Sequence, residues 1–326
     1  MILITGCAGF IGSQLAKKLT LENFKVIGVD LYSITKHSNI QSDRIINLKN
    51  CLRKEKKEFL FTYKKLDILN KKELKKIFDN YNITKVVHLA ASTGVRESSI
   101  SSEKYFNNNI SGFINVIDKC KDYKVRKFIY ASSSSIYNDN ISKKLTAENE
   151  KTDQPINIYA FTKKTNELLA YTYSHLYNLT SIGLRFFSVY GPFGRPDMAY
   201  FKFTKSILKS ENILLNNKGE NIRDFTYIDD VVTAIIKILV DVKKNKSRSS
   251  VYNVGCGKPV KIIDLIKLIE KITKRKSKIT HSKNHKEDAI KTGSNNSKLI
   301  NDYNINFNID INTGMQKFIS WFEKYN

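Results

Sequence analysis

Ile2-Leu3-Ile4-Thr5-Gly6-Cys7-Ala8-Gly9-Phe10-Ile11-Gly12 stands at the head of the 326-residue chain, and its reading decides the fold. Residues 2–5 read as a short apolar strand. Residues 10–21 place Ile11, Leu15 and Leu19 on one side of a helix. Between them, glycines at 6, 9 and 12 let the backbone turn tightly and approach a pyrophosphate, which then meets the unpaired N–H groups and positive dipole end of the helix. A glycine triplet alone says little. With a strand before it, a helix after it and a second apolar strand (Val26-Ile27-Gly28-Val29-Asp30) following, it reads as a dinucleotide-binding turn. Asp30 closes that second strand 18 residues after Gly12, where a carboxylate can accept from both ribose hydroxyls. No Arg or Lys follows until Lys36, which favours NAD over NADP.

The alternation continues outward from this turn. Residues 59–66 predict a third strand ending at Asp67-Ile68, followed by a helix over 71–81. Residues 85–91 predict a fourth strand with a helix near 104–121, and 126–132 a fifth that runs into Ser133-Ser134-Ser135. Strand and helix in this order predict an α/β fold: a Rossmann-type, doubly wound parallel sheet with ligands at the carboxyl ends of its strands. His88, inside an apolar strand, reads as a satisfied core or cofactor-edge histidine rather than a catalytic one. Regularity is lost in the second half. A helix over 157–176 and a strand over 182–187 give way to loops around Pro192 and Pro196, short strands, and helices over 228–242 and 262–272. The expected organisation is a dinucleotide-binding domain over 1–182 and a smaller α/β substrate-binding lobe over 183–326, with segments able to cross back to the first. Residues 39–57 read as a polar helix or loop, and 243–250 and 273–286 as lysine-rich solvated loops.

Composition narrows the class. No apolar run approaches the ~18–20 residues of a membrane span. The opening strand passes straight into the glycine turn, so it does not read as a signal peptide, and a cytoplasmic location is expected. Cys7, Cys51, Cys120 and Cys256 are scattered, which suits reduced thiols better than a disulfide framework or a zinc site. His281 and His285 have helical ligand spacing but sit in a Lys- and Asn-rich segment without supporting ligands, so no metal site is expected. A net charge of +24 invites a nucleic-acid reading. Only 9 of the 55 cationic residues are Arg, though, and the lysines are spread over nearly every predicted helix. That is the pattern of a solvated surface, and neither a nucleic acid nor a membrane is expected as a partner. The scarcity of Arg sets Arg185, Arg195 and Arg223, each inside a motif, apart from casual surface charges.

Tyr159 and Lys163 lie four apart, hence on one face of the 157–176 helix. A neighbouring cation favours the phenolate, so such a tyrosine can exchange protons near neutral pH, as alcohol–ketone interconversion requires. Taken in order, Gly6-x-x-Gly9-x-x-Gly12, Asp67-Ile68, His88-Leu89-Ala90-Ala91, the serine run and Tyr159-x-x-x-Lys163 resemble the extended short-chain dehydrogenase/reductases, specifically the NAD-dependent nucleotide-sugar epimerases. The resemblance implies that Gly6, Gly9 and Gly12 carry the pyrophosphate, with Phe10 and Ile11 also at the cofactor, Asp30 at the adenosine ribose, and Asp67 with Ile68 at the adenine edge. It implies that Leu89, Ala90 and Ala91 line the cofactor and that Lys163 bonds the nicotinamide ribose. Tyr159 would be the acid/base and Ser133 the hydroxyl bonding the reacting oxygen. A homodimer formed through a helix pair is implied as well.

Dehydratases and decarboxylases of this superfamily carry an acidic residue at one or both of the two positions after the serine; here these are Ser134 and Ser135. Without a carboxylate to take the C5 proton, reversible oxidation at C4 is the expected chemistry, with NAD regenerated each cycle. The stretches Arg185–Met198 and Arg223–Asp230 resemble those of UDP-glucuronate 4-epimerases. By that resemblance Arg223 grips the diphosphate, Asp288 contacts the nucleotide, Ser133, Ser134, Ser135 and Ser188 hold the substrate carboxylate, and Arg195 stands at the sugar end. Two departures bear on this. Asn138 stands where the family usually has Gly, and Thr93-Gly94 replaces a commoner variant of a loop bordering the substrate. Epimerisation of UDP-glucose or UDP-N-acetylglucosamine is the alternative within enzymes, and a nucleic-acid-binding member of the fold is the alternative outside them.

Overall fold

A computed structural model describes residues 1–32, 40–137, 145–241, 248–282 and 289–325. The chain divides into two compact units. The first comprises Met1–Ile136, Thr152–Arg185 and Val232–Tyr252; the second comprises Tyr137–Lys151, Phe186–Val231 and Asn253–Asn326.

The first unit is built on seven strands: β1 (Ile2–Thr5), β2 (Val26–Asp30), β3 (Phe61–Lys65), β4 (Lys85–His88), β5 (Lys127–Ser133), β6 (Ser181–Phe186) and β7 (Ser249–Val254). Their order is β7-β6-β5-β4-β1-β2-β3, and the pairs β1–β2, β1–β4, β2–β3 and β4–β5 are parallel. This is the doubly wound α/β sheet that the alternation predicts. The central strands read as continuous apolar runs because helices cover both faces, and every residue of β1 is buried. The core joins Leu3, Ile27, Val86 and Phe128 of the strands to Phe113, Val116 and Ile117 of the helix Gly112–Asp122. Phe113 meets Phe128 and Tyr130 edge-on at 5.5 and 5.4 Å between ring centres, an arrangement aromatic quadrupoles favour. On β2, a methyl group at Gly28 would lie 2.3 Å from Cys7 Sγ. The glycine therefore makes room for the buried thiol of the turn after β1.

Several boundaries differ from the sequence pattern. β3 starts at Phe61 because Glu58–Leu60 forms a 3-10 turn that leaves Phe59 in solvent. β4 stops at His88, and Leu89–Ala91 continue as a loop. The 39–57 region, read as a polar helix or loop, contains the helix Ile40–Lys54, whose buried Ile45, Leu48 and Leu52 recur at helical spacing. The loop expected over 273–286 is corrected over Lys278–Ser282, a strand paired in parallel with Asn212–Asn216. Its side chains are largely exposed, so backbone pairing rather than burial holds it, and hydropathy carries no trace of that. Ser249 and Ser250, placed in the other lysine-rich loop, begin β7.

The second unit holds three two-stranded ladders: Ser188–Tyr190 with Phe225–Tyr227, Ile222–Arg223 with Val260–Lys261, and Asn212–Asn216 with Lys278–Ser282. The helices Ala199–Leu208 and Ile311–Tyr325 pack through Tyr200, Phe201, Phe318 and Phe322, with ring centres 4.8–5.7 Å apart for Tyr200–Phe318, Phe201–Phe318 and Phe201–Phe322. Among the described residues no helix is long and apolar enough to cross a membrane.

Candidate active site

In the first unit the glycine turn is enforced by close approach. Gly6 adopts φ +71°, and a Cβ there would lie 2.6 Å from the Ala90 nitrogen in the loop after β4. At Gly12 a Cβ would lie 2.2 Å from the Gly6 carbonyl oxygen. Gly9 begins the helix Phe10–Leu21 without a side-chain cap, the arrangement that leaves helix N–H groups to an anion. At the end of β2, Asp30 accepts a hydrogen bond from Ala8 N–H at 2.8 Å. Burial raises its pKa, while that bond and the Arg44 charge act the other way. Arg44 is buried, donates to the Ala8 carbonyl at 3.2 Å and lies 6.0 Å from the Phe10 ring centre. Sequence reasoning missed it, because it looked for cations immediately after Asp30 and this one returns from a helix 14 residues on. Its rarity among so many lysines was the available signal.

Asp67 accepts from Leu69 N–H at 2.8 Å, and the Ile68 carbonyl accepts from Asn115 Nδ2 at 3.0 Å. Both residues therefore sit in an ordered turn after β3. Leu89 N–H donates to the Thr5 carbonyl at 3.1 Å, and Ala90 N–H donates to Thr5 Oγ1 at 3.3 Å, tying this loop to β1. His88 shares a 2.7 Å hydrogen bond with Thr5 Oγ1, and its ring lies against Phe113 and Phe128. Burial holds its pKa down at about 3. The imidazole is neutral at physiological pH and acts as a core group, not an acid.

Asn157 caps the helix Ile158–Tyr177 by accepting from Ala160 N–H at 2.8 Å, which starts the helix just before Tyr159. Lys163 is buried, donates to the Ala131 carbonyl at 2.9 Å and lies 5.8 Å from the centre of the Tyr159 ring. Burial lowers its pKa to about 8, so it remains mostly cationic at pH 7 beside the phenol. Tyr159 N–H donates to Ser98 Oγ at 3.1 Å, and its ring meets Tyr105 edge-on at 6.3 Å. The Tyr105 hydroxyl is shared between the carbonyls of Thr93 and Gly94 at 2.9 and 2.8 Å. The divergent Thr93-Gly94 loop is thereby tied through Tyr105 to the helix Ile158–Tyr177. After β5 the serines turn as a 3-10 helix, with Ser135 Oγ 2.9 Å from Ser133 Oγ. Ser133 is buried, while Ser134 and Ser135 are partly exposed.

A second polar group escaped the sequence reading. Asn109, buried in the π-helical stretch Phe106–Ser111, accepts from Ser92 N–H at 2.8 Å and donates to the Ser92 carbonyl and Thr162 Oγ1, both at 3.0 Å. Thr162 precedes Lys163. The run Asn107-Asn108-Asn109 was a compositional hint, but the wide turn that aims it appears only in the backbone.

In the second unit Ser188 starts the strand Ser188–Tyr190, and its N–H donates to the Asp224 carbonyl at 2.9 Å. Arg223 donates to the carbonyls of Ile222 (2.8 Å), Ile290 (3.3 Å) and Ala289 (2.6 Å), which aims its planar head. Arg195 forms a fork with Asp197, 3.0 Å from Nε to Oδ1 and 2.5 Å from Nη2 to Oδ2. The guanidinium expected at the sugar end is thus engaged by a carboxylate two residues away. Asp288 lies outside the described residues, as do Asn138 and His285. Sequence reasoning also missed fully buried Asp224. Its Oδ1 accepts from Cys256 N–H and Sγ–H at 3.2 and 3.0 Å, and its Oδ2 from Gly257 and Ser294 N–H at 3.0 and 2.9 Å. Among the described residues no cluster of three His, Cys, Asp or Glu side chains could hold a metal.

Comparison with known proteins follows the same lines. The model of the NAD dependent epimerase/dehydratase family matches residues 2–255. The chain belongs to that family. The protein CapI of Staphylococcus aureus is 40% identical, covering 99% of this chain and 98% of its own. The UDP-glucuronate 4-epimerase of Thermodesulfobacterium geofontis is 38% identical, covering 98% and 95% respectively. The structure of a Bacillus cereus UDP-glucuronic acid 4-epimerase in complex with UDP-glucuronic acid and NAD is 29% identical, with a TM-score of 0.88 over 100% of this chain and 99% of that one. The cofactor of this NAD-dependent epimerase/dehydratase suits the donor set: an uncapped helix terminus behind a glycine turn that no side chain could enter, with a carboxylate at the end of β2.

Proposed function

We propose that this chain is a UDP-sugar 4-epimerase that interconverts UDP-glucuronate and UDP-galacturonate. The observation that carries the reading is the hydroxyl-only turn Ser133–Ser135 at the end of the strand to which Lys163 is bonded, beside Tyr159. Such a turn offers hydrogen bonds to a reacting oxygen and a carboxylate but no base for the C5 proton, so elimination lacks its catalyst.

In this reading Gly6, Gly9, Phe10, Ile11, Gly12, Asp30, Asp67, Ile68, Leu89, Ala90 and Ala91 hold NAD together with Tyr159 and Lys163. NAD held by these residues would supply hydride acceptance and return at C4 of the sugar. Tyr159, supported by the Lys163 cation, takes the proton from the C4 hydroxyl and later gives it back, while Ser133 bonds the same oxygen. Arg223, pre-aimed by three carbonyls, serves the diphosphate, for which a guanidinium fork is suited. Ser134, Ser135 and Ser188 hold the carboxylate; Arg195 serves the sugar and Asp288 the nucleotide. A 4-keto uronic acid is a β-keto acid and loses CO2 when the carboxylate bond aligns with the carbonyl π system. Hydroxyls that fix the group out of alignment suppress that loss.

The test is purified protein with UDP-glucuronate and no added NAD, its products resolved by chromatography. UDP-galacturonate is expected, and Tyr159→Phe is expected to lower the rate about 10²–10⁴-fold. Turnover of UDP-glucose or UDP-N-acetylglucosamine with UDP-glucuronate inert would replace the substrate assignment. We further infer a homodimer through the helix Ile158–Tyr177, which exposes Phe161, Leu168 and Tyr171, with Phe106 against Phe161 at 6.1 Å. Light scattering on the same preparation should give about twice the 37.5 kDa chain mass, and the single mass would overturn it.

A further inference from the structure

Glu167 and Arg185 form a buried fork in the first unit. Arg185 Nε donates to Glu167 Oε1 at 2.9 Å and Nη2 to Oε2 at 2.8 Å, with the two side chains only 4% and 6% exposed. Ser132 Oγ donates to Glu167 Oε1 at 2.7 Å. Nothing in the proposed chemistry uses these three residues. Taking two charges out of water costs several kcal/mol each, so a buried pair adds little net stability over a well-packed apolar one. What a bidentate fork does supply is fixed geometry.

Its location shows what that geometry holds. Glu167 lies one helical turn past Lys163 on the helix that carries Tyr159. Along β5, Ala131 accepts from Lys163, Ser132 donates to Glu167, and Ser133 is the next residue. Arg185 reaches the same carboxylate from β6, the neighbour of β5. The helix is therefore pinned to β5 at two successive residues, with β6 as a third anchor.

We propose that Ser132, Glu167 and Arg185 are positioning residues that set the register of the Tyr159–Lys163 helix against Ser133. The proposal rests on Tyr159 and Ser133 acting on the same substrate oxygen. An error of about 1 Å in such a pair can cost on the order of 10²-fold in rate without changing how substrate is held.

The experiment pairs a double variant with a mild single one, each assayed on the UDP-sugar that the wild type turns over. Glu167→Leu/Arg185→Met replaces the fork by apolar side chains of similar bulk. It should keep the wild-type Tm and NAD content and a KM within about twofold, while kcat falls roughly tenfold or more. Ser132→Ala, which removes one pin and no charge, should keep Tm and KM and lower kcat about three- to tenfold. A double variant with wild-type kcat would show the fork to be structural only and overturn the proposal. If the double variant does not fold, wild-type kcat in Ser132→Ala overturns it instead. A wild type that acts on a sugar other than UDP-glucuronate would sink the substrate assignment and leave these ratios, measured on that sugar, to decide.

Discussion

The molecule uses one piece of chemistry, an arginine fork on a carboxylate, in two settings. In the first unit Arg185 and Glu167 are 18 residues apart, belong to a strand and a helix, and are almost completely buried. In the second, Arg195 and Asp197 are two residues apart in a loop, with side chains 32% and 54% exposed. The buried fork cross-links elements and cannot exchange its partner for water. The exposed one is a local contact in high dielectric that a ligand carboxylate or phosphate can replace at little cost. The contrast separates a fork that cross-links two elements from one confined to a single loop.

The largest effect should come from halving the buried fork. Arg185→Met leaves the Glu167 carboxylate without its cation, and a loss of about 3–5 kcal/mol is expected in urea unfolding. A loss below about 1 kcal/mol would mean water reaches the site and would erase the distinction.

Next comes the buried lysine beside it, whose folded pKa of about 8 lies below the ordinary lysine value. The sign follows from proton counting. Between about pH 8 and 10.4 the unfolded chain binds the proton that the folded one has released, so wild-type stability gains over that window. The cost of burying the charge is fully present at pH 7. Lys163→Met should therefore compare best with the wild type at pH 7, and its relative stability should fall by about 3 kcal/mol by pH 10.4. Parallel pH–stability curves would refute the assignment. The smallest effect belongs to the exposed fork: Asp197→Ala should change stability by less than about 1 kcal/mol. It should instead alter KM for the UDP-sugar by a few fold. A stability loss like that of Arg185→Met would make the loop fork structural too.

The first unit was legible because its signals are local. The glycine turn, the apolar runs of β1, β2, β4 and β5, and the Asn157-capped helix each lie within one short window of sequence. The second unit resisted for a physical reason. Lys278–Ser282 is held by pairing with residues more than sixty positions earlier, and the helix Ile311–Tyr325 carries none of the catalytic motifs that guided the reading. The site divides likewise. Tyr159 and Lys163 drew attention by their spacing and Ser133 through the family resemblance; Arg44, Asn109 and Asp224 did not, because each is placed by what the fold brings to it.

The sequence by itself determined the parallel sheet, the dinucleotide turn and the Tyr159–Lys163 pair with its serine run. Periodicity and backbone permissiveness are properties of neighbouring residues. Only the tertiary structure decided that Lys163 bonds Ala131, that Glu167 joins Ser132 to Arg185, that carbonyls of Ala289 and Ile290 aim Arg223, and that Arg195 has a carboxylate in its fork. Those choices depend on which distant groups meet when water is excluded. A buried charge takes whichever partner the packing supplies, and no local pattern names it in advance.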